Sequence, residues 1–193
     1  MNKLVFINAC IRREESRTYS IAKPVIEALA KRYEITTIDL TDSSLLPVTA
    51  SLFKERGLNG LSNQDIANGR LVAEADRIVI AAPFWDMSFP SVLKAFFEHI
   101  SAPDLTFANN PDGSTRGICK AKKLLYITTR GMNIETESAL DQATSYLKAL
   151  GWLWGIPEIV PVAVCGTDVN PPEETLERIK ETIFETLKLC EEF

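Results

Sequence analysis

Three short stretches of this chain carry the residues that could do chemistry. Residues 8–18, NACIRREESRT, place Cys10, Arg12, Arg13, Ser16, Arg17 and Thr18 just ahead of a helical pattern. Hydroxyls, guanidinium groups and the free N–H groups of a helix N-terminus make an anion site. The simpler alternative is that Ser16 or Thr18 caps the helix and the arginines are solvated. Residues 83–90, PFWDMSFP, set Pro83, Phe84, Trp85 and Met87 around Asp86, where a soluble protein ordinarily has polar turn residues. They could form a wall against a planar ring, or pack in a core or subunit interface. Residues 128–133, TTRGMN, include Thr129, Arg130, Gly131 and Met132. Gly131 would let the backbone turn left-handed and approach a ligand closely, or would simply serve a turn.

These stretches need elements to position them. Apolar runs at Leu4–Ile7, 78–82, 124–127 and 158–164, with the weakly alternating EITTIDL of residues 34–40, read as five strands. Helical patterns lie between and after them, at residues 20–32, 63–75, 90–100, 137–150 and from Pro171 onward. Alternating strands and helices predict a parallel sheet with right-handed crossovers. The second strand carries Thr36, Thr37 and Asp39, and the fifth carries Pro161, so both belong at edges. The first, third and fourth are wholly apolar and belong inside. Order 2-1-3-4-5, a flavodoxin-like α/β three-layer sandwich, satisfies both conditions.

Two local features remain. Pro24 falls in the first turn of the first helix if Ser20 is its N-cap, and kinks the helix if it starts nearer Thr18. Residues 101–117, with NNPDGS at the tip, read as a hairpin excursion.

In a parallel sheet all strand carboxyl ends point one way, so the loops after the first, third and fourth strands must meet. An anion anchor, a flat apolar wall and a close-approach backbone together suit a flavin mononucleotide (FMN). Neither G-x-x-x-x-G-K-[ST] nor G-x-G-x-x-G is present, since residues 8–18 contain no glycine.

From the first strand to the last helix, the chain resembles the FMN-dependent NAD(P)H:quinone oxidoreductase and azoreductase family. Ser16-Arg17-Thr18 is similar to that family's S-x-S phosphate loop. Pro83-Phe84-Trp85-Asp86-Met87, followed by Leu93-Lys94, is similar to its P-M-Y-N-F segment, and Thr129-Arg130-Gly131-Met132 to its S-R-G-G loop. The chain departs from the pattern at Cys10, where the family often has serine, at Asp86 in place of asparagine, and at Met132 in place of the second glycine.

The resemblance implies FMN as cofactor and NADH or NADPH as electron donor. It implies a quinone or azo compound as acceptor, two-electron ping-pong hydride transfer, and a homodimer. The implied cofactor contacts are the positions already named in the three loops. The chemistry would be the cofactor's, and no side chain is assigned as catalytic acid or base. His99, the only histidine, sits late in a helix where a cation is favourable, and is read as structural. Trp152 or Trp154 could reach a partner's site, with core packing the simpler role.

Two other functions compete. A low-molecular-weight phosphatase or arsenate reductase would use Cys10, but its C-x5-R-[ST] loop is one residue shorter than the spacing from Cys10 to Arg17-Thr18. A flavodoxin-type electron carrier would bind FMN without turnover. Composition narrows the field further. The 193 residues suggest one domain over residues 1–193, and the net charge of −5 argues against nucleic acid or an anionic membrane as partner. Four scattered cysteines argue against disulfides or zinc, and no stretch approaches the ~20 apolar residues of a membrane span. No signal peptide is visible, which makes the cytoplasm the expected compartment.

Overall fold

The computed structural model describes residues 1–50 and 58–193. Its main sheet is parallel and contains β1 (Asn2–Asn8), β2 (Tyr33–Asp39), β3 (Arg77–Ala81), β6 (Lys123–Thr129) and β7 (Glu158–Val164). The strand order is β2-β1-β3-β6-β7. This is the 2-1-3-4-5 arrangement, with polar β2 and proline-bearing β7 at the two edges. Pro161 sits opposite Tyr126 in the β6–β7 pairing. The excursion at residues 101–117 holds the short antiparallel pair β4 (Phe107–Asn109) and β5 (Thr115–Gly117).

Alternation along the central strands divides the interior in two. Val5, Ile7, Ile78, Ile80, Leu124 and Tyr126 face one side. There they meet α2 (Asn63–Glu74), α3 (Ser91–Ile100) and α4 (Gln142–Trp154). Leu4, Phe6, Val79, Ala81, Leu125 and Ile127 face the other, against α1 (Arg17–Leu29) and α5 (Pro172–Glu191). Both faces being covered explains why the central strands carry unbroken apolar runs, at residues 4–7, 78–81 and 124–127, rather than apolar residues at every second position.

One helix start bears out an alternative that the sequence offered, and another differs from it. Helix α1 is capped by Ser16, whose side chain accepts from the Tyr19 N–H at 3.3 Å. The helix runs unbroken to Leu29, with Pro24 in its interior. Helix α4 begins at Gln142 rather than near residue 137, because Asp141 accepts the Thr144 N–H at 3.0 Å and caps it there. The preceding residues form a turn in which Glu137 has φ 66° and donates its N–H to Asp141 at 2.9 Å.

Asp141 also anchors the most buried ion pair of the described residues. Arg130, just past β6, donates from Nη2 to its carboxylate at 2.8 Å, and neither side chain is exposed. A second guanidinium nitrogen, Nη1, donates to the Ile134 carbonyl at 3.0 Å. Burial alone would raise the Asp141 pKa. The hydrogen bonds from Thr144, Glu137 and Arg130 outweigh burial and hold it below its ordinary value.

Replacing Asp141 with Asn leaves a guanidinium buried without a counter-charge, and should cost about 3–5 kcal/mol of stability near neutral pH. The sign with pH follows from the lowered native pKa. The carboxylate's contribution is complete above the unfolded-state value of roughly 4 and is lost as pH falls through the native value. Urea titrations of both proteins at pH 7 and pH 3 should show a gap that narrows in acid. Equal stability at pH 7 would refute this account of the pair.

Candidate functional site

The first loop leaves β1 at Asn8 and reaches α1 through a single 3₁₀ turn, Arg13–Glu15. Each of its arginines meets a carboxylate. Arg12 lies 3.4 Å from Glu15, Arg13 pairs with Asp42, and Arg17 donates to Asp168 at 2.6 Å. Ser16 is nearly buried at the N-cap. The Thr18 hydroxyl is turned inward, 2.7 Å from the Thr129 hydroxyl. What Thr18 can offer an anion is therefore its N–H in the first helical turn, where N–H groups have no intrahelical acceptor.

Cys10 lies beneath this loop with no exposed surface, its thiol directed at the Ala81 carbonyl at 3.5 Å. Burial pushes the thiol pKa up to about 12, with the nearby Ser16 hydroxyl opposing and the Asp39 carboxylate reinforcing the rise. A phosphatase nucleophile needs the reverse, a thiolate at neutral pH. The geometry thus removes the chemical basis of the Cys10 hydrolase reading.

The second loop is a tight reverse turn. Trp85 and Ser88 exchange both backbone hydrogen bonds, at 3.0 and 2.8 Å, with Asp86 at φ 49° and Met87 at φ 63° between them. Left-handed backbone at both central positions matches the twist of a two-residue hairpin turn and normally calls for Asn or Gly. Here it turns Trp85 and Met87 outward, 43% and 36% exposed. Phe84 is half-buried instead, with the Arg130 guanidinium 4.8 Å from its ring centre, a cation–π contact.

The third loop joins the other two. The Phe84 N–H donates to the Thr129 carbonyl at 3.0 Å, and the Thr18–Thr129 hydroxyl contact ties in α1. Arg130 faces the interior, so its contribution here is to hold the loop. Met132 is 51% exposed. Gly131 does not take the left-handed turn expected of it, since its φ is not positive. A Cβ there would stand 2.3 Å from an oxygen of the exposed Asp168 carboxylate, which would have to move aside.

Asp168 belongs to a fourth loop, after β7, which the sequence reading did not include. The N–H groups of Gly166, Thr167 and Asp168 donate to the carbonyls of Met132, Arg130 and Gly131 at 3.0, 2.9 and 3.0 Å. The signal available was the turn-rich run Gly166-Thr167-Asp168-Val169-Asn170 at the carboxyl end of the fifth strand.

The loops after β1, β3 and β6 therefore converge on one rim. That rim combines a helix N-terminus, a nearly buried Ser16 and exposed Trp85, Met87 and Met132. These features fit a flat ring bearing an anionic tail. Of the remaining aromatic and titratable candidates, His99 and Trp154 are occupied elsewhere. His99 Nε2 lies 2.8 Å from the Leu46 carbonyl and Nδ1 3.3 Å from Asp65, away from these loops. Trp154 is in the core, its indole N–H donating to Ser101 at 3.0 Å, whereas Trp152 is 75% exposed.

Thiol chemistry tests the placement of Cys10. With native protein at pH 8, Ellman's reagent should react with half-buried Cys165 before Cys10, and with Cys10 only on unfolding. Native Cys10 reacting as fast as a free thiol would contradict its burial.

Known proteins point the same way as the geometry. A family described as having a flavodoxin-like fold matches residues 2–187. An FMN-dependent NADH:quinone oxidoreductase of Clostridium perfringens is 29% identical, with both chains covered completely. The FMN-dependent NADH:quinone oxidoreductase 2 of Clostridium acetobutylicum is 30% identical over 94% of this chain and 98% of its own length. The crystal structure of azoreductase from Bacillus anthracis superimposes with a TM-score of 0.81 at 21% identity, both chains covered fully. An FMN-dependent NADH-azoreductase from Bacillus anthracis, solved in complex with FMN, gives a TM-score of 0.80 at 23% identity over 97% of this chain and 98% of that one. Matched along nearly its whole length, this chain belongs to the FMN-dependent NADH:quinone oxidoreductase and azoreductase family of flavodoxin-like fold.

Proposed function

We propose that this chain is an FMN-dependent NAD(P)H oxidoreductase that reduces quinones or azo compounds by two-electron ping-pong transfer. NADH is the better-supported donor, being the one named for the relatives. The observation that carries the reading is the convergence of three loops, from β1, β3 and β6, on one rim through the Thr18–Thr129 and Phe84–Thr129 hydrogen bonds. A pure electron carrier is disfavoured because the relatives are named as oxidoreductases.

FMN would be held by residues already described. Ser16 and the first-turn N–H groups of Arg17 and Thr18 suit a phosphate, with Arg12 and Arg17 as nearby cations. Trp85 and Met87 offer apolar surface to the ring, and Pro83 and Phe84 brace the turn that presents them. The backbone at Gly131 permits close approach, with Met132 exposed beside it. Thr129, Arg130 and Cys10 support these loops from beneath, and Asp86 adds an exposed carboxylate to the turn. When bound, the flavin supplies hydride acceptance and two-electron donation, so the protein needs no nucleophile.

A second copy of the chain is the proposed partner. Trp152, 75% exposed, and Leu140, 57% exposed, leave apolar surface uncovered at α4 and just before it. The cytoplasm is the proposed compartment; among the described residues no helix is long and apolar enough to cross a membrane.

Titration with FMN should quench flavin fluorescence and leave a yellow protein after desalting. The loaded protein should then oxidise NADH with menadione, giving parallel double-reciprocal lines. Ser16→Ala should weaken FMN binding by about 1.5–3 kcal/mol, the worth of a charged hydrogen bond. No flavin retention at saturating FMN would refute the reading. FMN binding without NADH turnover would favour a carrier.

A further inference from the structure

The cations of the first loop are all matched by acids, and one of those acids stands apart. Glu15 belongs to the same 3₁₀ turn as Arg13, and Asp42 follows β2. Asp168 comes from the loop after β7 and touches two walls of the proposed cofactor site. Its Oδ1 accepts from Arg17 at 2.6 Å, its Oδ2 lies over Gly131, and its N–H donates to the Gly131 carbonyl at 3.0 Å. The carboxylate is 69% exposed, so it faces whatever enters between α1 and the β6 loop.

We propose that Asp168 is a specificity-determining residue that competes with the cofactor's phosphate for Arg17. The proposal rests on the FMN reading above, in which the phosphate lies at the N-terminus of α1. An arriving phosphate is close to dianionic near neutral pH. If Arg17 stays with Asp168, the phosphate meets a neutralised pair. If Arg17 turns to the phosphate, Asp168 is left as an unpaired negative charge beside it. Either way the phosphate gains less than Arg17 alone would give, while an unphosphorylated flavin is unaffected. Asp168 thereby narrows the preference for FMN over riboflavin.

The exposed pair is weak, so its disruption is not costly to the fold. Asp168→Asn keeps the size, the backbone hydrogen bond to Gly131 and an oxygen facing Arg17, and removes only the charge. Dissociation constants for FMN and riboflavin, read from flavin fluorescence at fixed ionic strength, separate the possibilities. Asp168→Asn should tighten FMN roughly tenfold and change riboflavin by less than about twofold. Raising the salt concentration should weaken FMN binding more steeply in Asp168→Asn than in the natural chain. In an Arg17→Gln background the Asp168→Asn gain should shrink, because the contested cation is gone. Asp168→Ser provides a second uncharged variant. If the natural chain binds FMN but both variants leave FMN affinity unchanged or weaker, Asp168 has no such role. An equal change for both flavins would mark it as structural and overturn the proposal. If the natural chain binds FMN no better than riboflavin and Ser16→Ala alters neither, the phosphate reading itself falls, and this inference with it.

Discussion

A guanidinium shut inside a protein is expensive unless its charge is answered, and Arg130 is answered from several directions at once, although its Nε–H has no hydrogen-bond partner among the described residues. Asp141 supplies the counter-charge, the Ile134 carbonyl takes Nη1, and the Phe84 ring lies against the cation. The Arg130 main chain is equally engaged. Its N–H donates to Val164, and its carbonyl accepts both the Thr167 N–H and the Thr167 hydroxyl. One residue thus links the loops after β3, β6 and β7 to the start of α4. Such pairs contribute little net stability against an apolar replacement, but separating the partners is severely unfavourable. What the pair supplies here is registration: the rim loops cannot shift independently while Arg130 must keep all its partners.

The charge pattern above that buried anchor has a different logic. The chain is acidic overall, with net charge −5, yet its first loop concentrates arginines. Unbalanced, they would make an indiscriminate anion trap at a helix N-terminus. Paired with Glu15, Asp42 and Asp168, they leave a modest local field, and discrimination must come from geometry. For a phosphate bound as proposed, Ser16 and the first-turn N–H groups would provide that geometry, because their directions are set by the helix rather than by flexible side chains.

Much of this was legible in the sequence, and for identifiable reasons. Strand order followed from Thr36, Thr37 and Pro161, since edges tolerate polar side chains and missing donors while central ladders do not. The hairpin at residues 101–117 was legible from its turn chemistry. The start of α1 was left open between caps at Ser16, Thr18 and Ser20, because Pro24 suits the later one; the Ser16 side chain captures the Tyr19 N–H and the helix keeps an interior proline. The start of α4 was misplaced because the pattern of residues 137–141 does not show that Asp141 is pinned by Arg130. Side-chain direction was the least legible property. Nothing in TTRGMN says that Arg130 points inward, or in NACIRREESRT that Thr18 does. Asp168 was missed because it follows the edge strand, where no apolar or aromatic cluster drew notice.

Backbone strain follows the same division of labour. Four of the five non-glycine residues with positive φ among the described residues, Arg13, Asp86, Met87 and Glu137, lie in the loops after β1, β3 and β6; the fifth, Asp104, lies in the hairpin excursion. Left-handed backbone costs a residue with a Cβ about 1–2 kcal/mol. Each of those four is constrained by a specific bond. Arg13 donates its N–H to the Cys10 carbonyl at 2.7 Å, Trp85 and Ser88 clamp Asp86 and Met87 between them, and Glu137 donates its N–H to Asp141. Relaxing the 86–87 turn would free Trp85 and Met87 to fold onto neighbouring apolar surface, which is their hydrophobic preference in water. The paired Trp85–Ser88 hydrogen bonds oppose that relaxation against the strain and keep the apolar side chains at the rim facing solvent. A surface held open against the hydrophobic effect is one that a flat apolar ring can cover without first displacing the protein's own side chains, which lowers the cost of binding it.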